Sequence, residues 1–174
     1  LTLSVPSIAA DQIGAYIYTG NGTAAAAIAA TPAANAVTAA EDLTIVGPLG
    51  TAVTTADAAD SAKQTVSHIN ALTSQTGVSA TAQTYLQLAS SNATGESYAI
   101  QINGVSSGNF TISSASVEDA VRAINSVAGA TGVTATSTSD GKVLMFDNDG
   151  DDITIENMAD GTSLTVQKMG YQGA

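Results

Sequence analysis

Two stretches of the chain spell nearly the same phrase. SAKQTVSHINALTSQTGVSAT (61–81) and SVEDAVRAINSVAGATGVTAT (116–136) agree at nine of 21 positions when superposed: Ser, Val, Ile, Asn, Thr, Gly, Val, Ala and Thr. A repeat at fixed spacing restricts the fold more than any bulk property, because it calls for one supersecondary unit built twice.

The residues around each copy define that unit. Before the first, Leu43, Ile45 and their β-branched neighbours alternate as a strand, Gly47-Pro48 turns it, and a second strand follows. Ser61 and Gln64 have capping-box spacing, in which the hydroxyl accepts from the third helical amide while the Gln side chain reaches back. Ala62, Val66, Ile69 and Thr73 then recur at helical spacing. Thr76-Gly77 ends the helix, with Gly supplying the left-handed conformation favoured there, and the chain is extended from Val78.

Before the second copy, Tyr98, Ile100 and Ile102 alternate up to Asn103-Gly104, a strong hairpin signal. Ser116 and Asp119 repeat the capping spacing, and Asp favours a helix N-terminus electrostatically. Val117, Val121, Ile124 and Ala128 repeat the stripe, and Thr131-Gly132 repeats the stop before Val133. Short strands VTATST, KVLMFDN and DITIEN follow, separated by turns at Asp140-Gly141 and Asp149-Gly150. Ile69 and Ile124 are expected to be buried, and Asn70 and Asn125 to satisfy loose backbone groups near the helix ends.

Hairpin, short helix and returning strand, used twice, make an α+β, β-rich fold of one or two small domains. One hairpin with one short helix buries its apolar face poorly, so the two units are expected to share a layer. They span 41–95 and 96–174, the second ending in a strand at Ser163–Met169. Residues 1–40 are a lead-in, with a strand at Ala15–Thr19 and an Ala/Thr-rich stretch, 21–40, whose periodicity assigns no structure.

Composition narrows the partners. Four Lys or Arg against 15 Asp or Glu give a net charge of −11, which repels nucleic-acid phosphates and anionic membrane surfaces alike. Only 11% of residues are charged and 4% aromatic, so Ser, Thr, Asn, Gln and Gly must cover the surface, over shallow packing layers. The absence of cysteine excludes disulfides, thiolate metal sites and a Cys nucleophile. No run of 18 apolar residues occurs. The first residue is Leu, as expected of a piece of a longer chain.

The pattern Ile102-Asn103-Gly104, Ala123-Ile124-Asn125, Thr131-Gly132-Val133-Thr134-Ala135, with the apolar strand Val143–Phe146, resembles the hook IN motif of the variable central region of bacterial flagellins. The first unit, with Ile69-Asn70 and Thr76-Gly77-Val78, is similar but more divergent. SVPSIAADQIGAYIYTGNGT is similar to the segment by which flagellin chains leave their inner domain. The long heptad helices that polymerise such flagellins have no counterpart in these 174 residues. The resemblance therefore implies a solvent-facing outer region: a structural, extracellular part of the flagellar filament, serving motility and forming its antigenic surface. Its partners would be other flagellin subunits, with host glycan, antibody or phage contacts as further possibilities, and the isolated piece would be monomeric. An adhesin or glycan-binding module on a surface appendage is the alternative.

Catalytic chemistry finds little footing. Asp147, Asp149 and Asp151 imitate the start of a calcium loop, but position 6 counted from Asp147 is Asp152 and position 12 is Met158, where an EF-hand needs Gly and a bidentate acid. A hairpin tip at Asp149-Gly150 is preferred to a metal site. His68, the one histidine, falls on the polar side of the first helix and is read as a solvated residue, with no Cys and no framed Ser to serve. Glu41-Asp42 and Glu118-Asp119 are strand and helix starts rather than a glycosidase dyad. No enzyme activity, cofactor or metal is expected.

Overall fold

A computed structural model of the protein describes residues 25–29, 31, 35–158 and 163–170. The strand expected at Ala15–Thr19 lies outside these residues. In chain order the elements are β1 (Ala26–Ala27), β2 (Thr44–Gly47), β3 (Gly50–Val53), α1 (Ala62–Ala71), α2 (Thr73–Thr76), β4 (Thr84–Ser90), β5 (Glu96–Ile102) and β6 (Val105–Ile112). They continue with α3 (Glu118–Ser126), α4 (Ala128–Thr131), β7 (Val133–Ser137), β8 (Val143–Asp147), β9 (Ile155–Asn157) and β10 (Leu164–Met169). The α+β, β-rich class expected from the sequence is the one observed. Among the described residues, no helix is long and apolar enough to cross a membrane.

Three sheets form. The largest has the order β1-β10-β4-β8-β7, the second is β6-β5-β9, and the third is the β2-β3 hairpin alone. β4 and β7, the strands that follow the two helix pairs, both pair with β8, so the layer shared between the two copies exists. Strand alternation puts Leu86, Leu88, Val133, Ala135, Val143, Met145 and Leu164 on the buried face of the large sheet. The second sheet contributes Tyr98, Ile100, Ile102, Phe110, Ile112 and Ile155 to the same cluster, and α3 adds Ala120 and Ile124. Ile28 also joins it. The Ala/Thr-rich stretch that periodicity left unassigned thus supplies β1 and one core side chain, because its backbone pairs with β10 rather than because of any pattern of its own.

No side chain from residues 35–85 belongs to that core. The β2-β3 hairpin turns where expected, with Gly47 opposite Gly50 across Pro48-Leu49. Its outer residues stay in water: Leu43 is 45% exposed, Val53 56%, Leu49 69% and Val46 75%. The side chains this lobe does bury are Thr54, Asp60, Ser61 and Thr76, all polar. α2 is its packing contact with β2 and β3. That approach depends on Gly47, where an added Cβ would collide with the Thr76 carbonyl oxygen.

Candidate functional site

The repeated phrase builds one device twice. In the first copy the Asn70 carboxamide donates to the Ala80 carbonyl at 3.0 Å and accepts from the Ala80 amide at 2.8 Å. In the second, Asn125 donates to the Ala135 carbonyl at 2.9 Å and accepts from its amide at 2.8 Å. A carboxamide carries one donor face and one acceptor face, as a peptide group does, so it pairs with one residue ten positions on as a neighbouring strand would. The sequence led us to expect that these amides serve the helix ends. They serve the chain leaving the helix instead.

The turn between is also duplicated. Thr76 Oγ1 donates to the Leu72 carbonyl at 3.0 Å and accepts from the Val78 amide at 3.1 Å. Thr131 Oγ1 does the same with Val127 and Val133, at 3.1 and 3.2 Å. Gly77 (φ +74°) and Gly132 (φ +76°) take the left-handed cap, and their amides bond to Thr73 and Ala128 at 2.7 and 2.9 Å. Each helix is broken near its end, into α1–α2 and α3–α4, so the phrase codes a helix pair rather than one helix.

The surroundings differ. Ile124 is fully buried, whereas Ile69 is only half-buried, contrary to the expectation that both are core. The Ser61 capping box forms, with Ser61 N–H to Gln64 Oε1 at 2.9 Å and Gln64 N–H to Ser61 Oγ at 3.4 Å. Its expected counterpart at Ser116 does not form. Ser116 is held in a β-bridge with Ser113, the helix begins one residue later behind Val117, and no side chain caps it. Asp119 Oδ2 accepts instead from the Thr111 amide on β6 at 2.7 Å, and its Oδ1 from Arg122 at 3.0 Å.

Asn103 does more than turn a hairpin. It sits at φ +49° before Gly104, as Asn-Gly requires of the two-residue turn between Ile102 and Val105. Its Nδ2 also donates to the Thr131 carbonyl at 3.0 Å, and its Oδ1 accepts from the Thr154 amide at 2.8 Å. It thereby ties the hairpin to the end of α4 and to the start of β9. No spacing rule announced that role, because both partners are distant in sequence.

The Asp149-Gly150 turn is not a hairpin tip. β8 lies in the large sheet and β9 pairs with β5 in another, so the loop crosses between sheets. Asp147 is buried and its Oδ1 accepts from the amides of Asp149 and Asp151, at 2.8 and 3.2 Å. The loop's outward charge meets Lys63, whose Nζ is 2.7 Å from Asp151 and 3.9 Å from Asp149. That hydrogen bond to Asp151 raises the Lys63 pKa above its ordinary value. The Lys63 amide, in the first turn of α1, donates to the Gly150 carbonyl at 2.9 Å. This loop is the bond between the helix of the first copy and the sheets of the second.

The five tyrosines divide. Tyr98 is core beside Phe110, and Tyr85 is half-buried with its ring centroid 6.1 Å from that of Phe146, while Tyr16, Tyr18 and Tyr171 lie outside the described residues. A shallow depression of about 210 Å³ bordered by Gln87, Ser90, Lys142 and Thr165 is smaller than the usual small-molecule pocket. His68, expected from the sequence to be solvated, is half-buried. Its Nδ1 lies 3.5 Å from the buried carboxylate of Asp60.

Compared with known families, residues 42–92 match the flagellin hook IN motif. The match runs from the start of the β2-β3 hairpin through α1, α2 and β4. It falls on the copy that looked the more divergent to the eye. No curated protein matches the chain.

Proposed function

We propose that the chain is a surface-exposed outer region of a flagellin subunit, built from two hook IN motif units, 41–95 and 96–174, with residues 1–40 leading in from an inner domain. The observation that carries this reading is the motif match at 42–92. Its extension to the second unit is supported by the same asparagine clamp and threonine–glycine exit at 125–135. In this reading Ile69, Asn70, Thr76, Gly77, Val78, Ile102, Asn103, Gly104, Ile124, Asn125, Thr131, Gly132 and Val133 are architectural. They hold a scaffold whose polar, acidic surface faces the medium outside the cell. The role is structural rather than enzymatic, and the partners are neighbouring flagellin subunits.

Gold-labelled antibodies raised against the chain should decorate the flagellar filaments of intact source cells along their length. Label confined to the cell body, with bare filaments, would overturn the proposal.

A further inference from the structure

The lobe formed by the first hairpin and helix pair contains a cluster that the filament role does not use. Asp57, Asp60 and His68 present ligand atoms that all lie within 4.8 Å of one another. Asp60 is 3% exposed, a position where an ionised carboxylate needs compensation. Its Oδ2 accepts from the Asp57 amide at 2.8 Å. Among the described residues its ion-pair partner is His68 and not a Lys or Arg. The 3.5 Å between His68 Nδ1 and Asp60 Oδ2 is at the outer limit of hydrogen bonding. It is close to the separation of two ligands on a tetrahedral zinc ion, about 3.4 Å for bonds of about 2.0–2.2 Å.

We propose that Asp57, Asp60 and His68 form a binding site for a divalent transition-metal ion of the zinc class. One imidazole nitrogen and two carboxylates suit such an ion better than magnesium or calcium, which prefer oxygen ligands alone. Asp57 is exposed, so its carboxylate is free to close the remaining distance, and the fourth position is left for water. The ion would tie the 57–60 turn to α1 in a lobe that has no apolar core of its own.

With one histidine in the chain, the test is direct. Zinc titrated into untagged protein, followed by proton NMR of the imidazole ring, should shift the His68 signals and saturate at one equivalent. The same titration of Asp57→Asn should need at least tenfold more zinc, and Asp151→Asn, altered in the acidic loop, should behave as the unaltered protein. His68 signals that do not move at a tenfold excess of zinc would overturn the site. So would undiminished stoichiometric binding, read by calorimetry, in His68→Gln.

Discussion

The two helix–glycine elements share their hydrogen bonds and differ in what lies beneath them. α3 rests on β6 and β7, and Val117, Ala120 and Ile124 enter the common core. At the matching positions α1 has Ala62, Thr65 and Ile69, and none of its residues is buried. Thr65 turns its hydroxyl back onto the Ser61 carbonyl at 3.1 Å, so the face that would be apolar is partly spent on the helix itself. The hydrogen-bonded skeleton is therefore not what stabilises the second copy more than the first. It fixes the path of the chain, and burial supplies the free energy.

The comparison is broken most sharply at the paired isoleucines. Ile124→Ala empties a fully buried site and should destabilise the protein by about 2–5 kcal/mol in urea unfolding. Ile69→Ala, at a half-buried site, should cost less than about 1.5 kcal/mol. Equal losses would mean that the first copy is packed as tightly as the second.

A smaller difference is expected at the clamps. Asn125→Ala strands the amide and carbonyl of Ala135, a buried residue, and should cost roughly 2 kcal/mol. Asn70→Ala leaves Ala80, which is half-exposed, so water takes over both bonds and the loss should be about 1 kcal/mol or less. Thermal unfolding of the two variants side by side reads the difference, and a null shift for Asn125→Ala would contradict the clamp's role.

The smallest effects are electrostatic and separate the two regions by pH. The Lys63 pKa is raised by its bond to Asp151, so what that bond contributes is complete below the unfolded lysine pKa of about 10.4 and is lost as pH rises through the folded value. Glu96 has the opposite sign. The Tyr98 hydroxyl holds its pKa down, aided by Ser163 and Asn92, so its contribution is complete above about pH 4.3 and fades as pH falls through the folded value. Alkali should loosen the first lobe and acid the seam between β5 and the start of β10. Lys63→Met and Glu96→Gln should each flatten only its own limb of the stability–pH curve.

Much of this was legible in the sequence because local chemistry carries it. The Gly47-Pro48 and Asn103-Gly104 hairpins, the Ser61–Gln64 box and the Gly77 and Gly132 stops depend on residues within a few positions of one another. What escaped was non-local. Whether Ile69 or Ile124 is buried depends on which sheet lies beneath, and the stripe is the same in both. β1 has no pattern because β10 supplies its order. The Asp149-Gly150 turn read as a hairpin because the strands flanking it do not reveal that they belong to different sheets. The approach of His68 to Asp60 was hidden for a similar reason, since helical periodicity places His68 on a polar face but does not show that the 57–60 turn folds over it.

Native-state hydrogen exchange at two amides tests the account most directly. Ala80 and Ala135 each donate to an asparagine Oδ1 at 2.8 Å, so the bond is the same and only its surroundings differ. The Ala135 amide should exchange through global unfolding, with the full dependence on denaturant. The Ala80 amide should exchange through local opening of the first lobe, faster and nearly independent of denaturant. Equal protection at the two positions would contradict the claim that burial, and not the repeated hydrogen bonds, sets the stability of each copy.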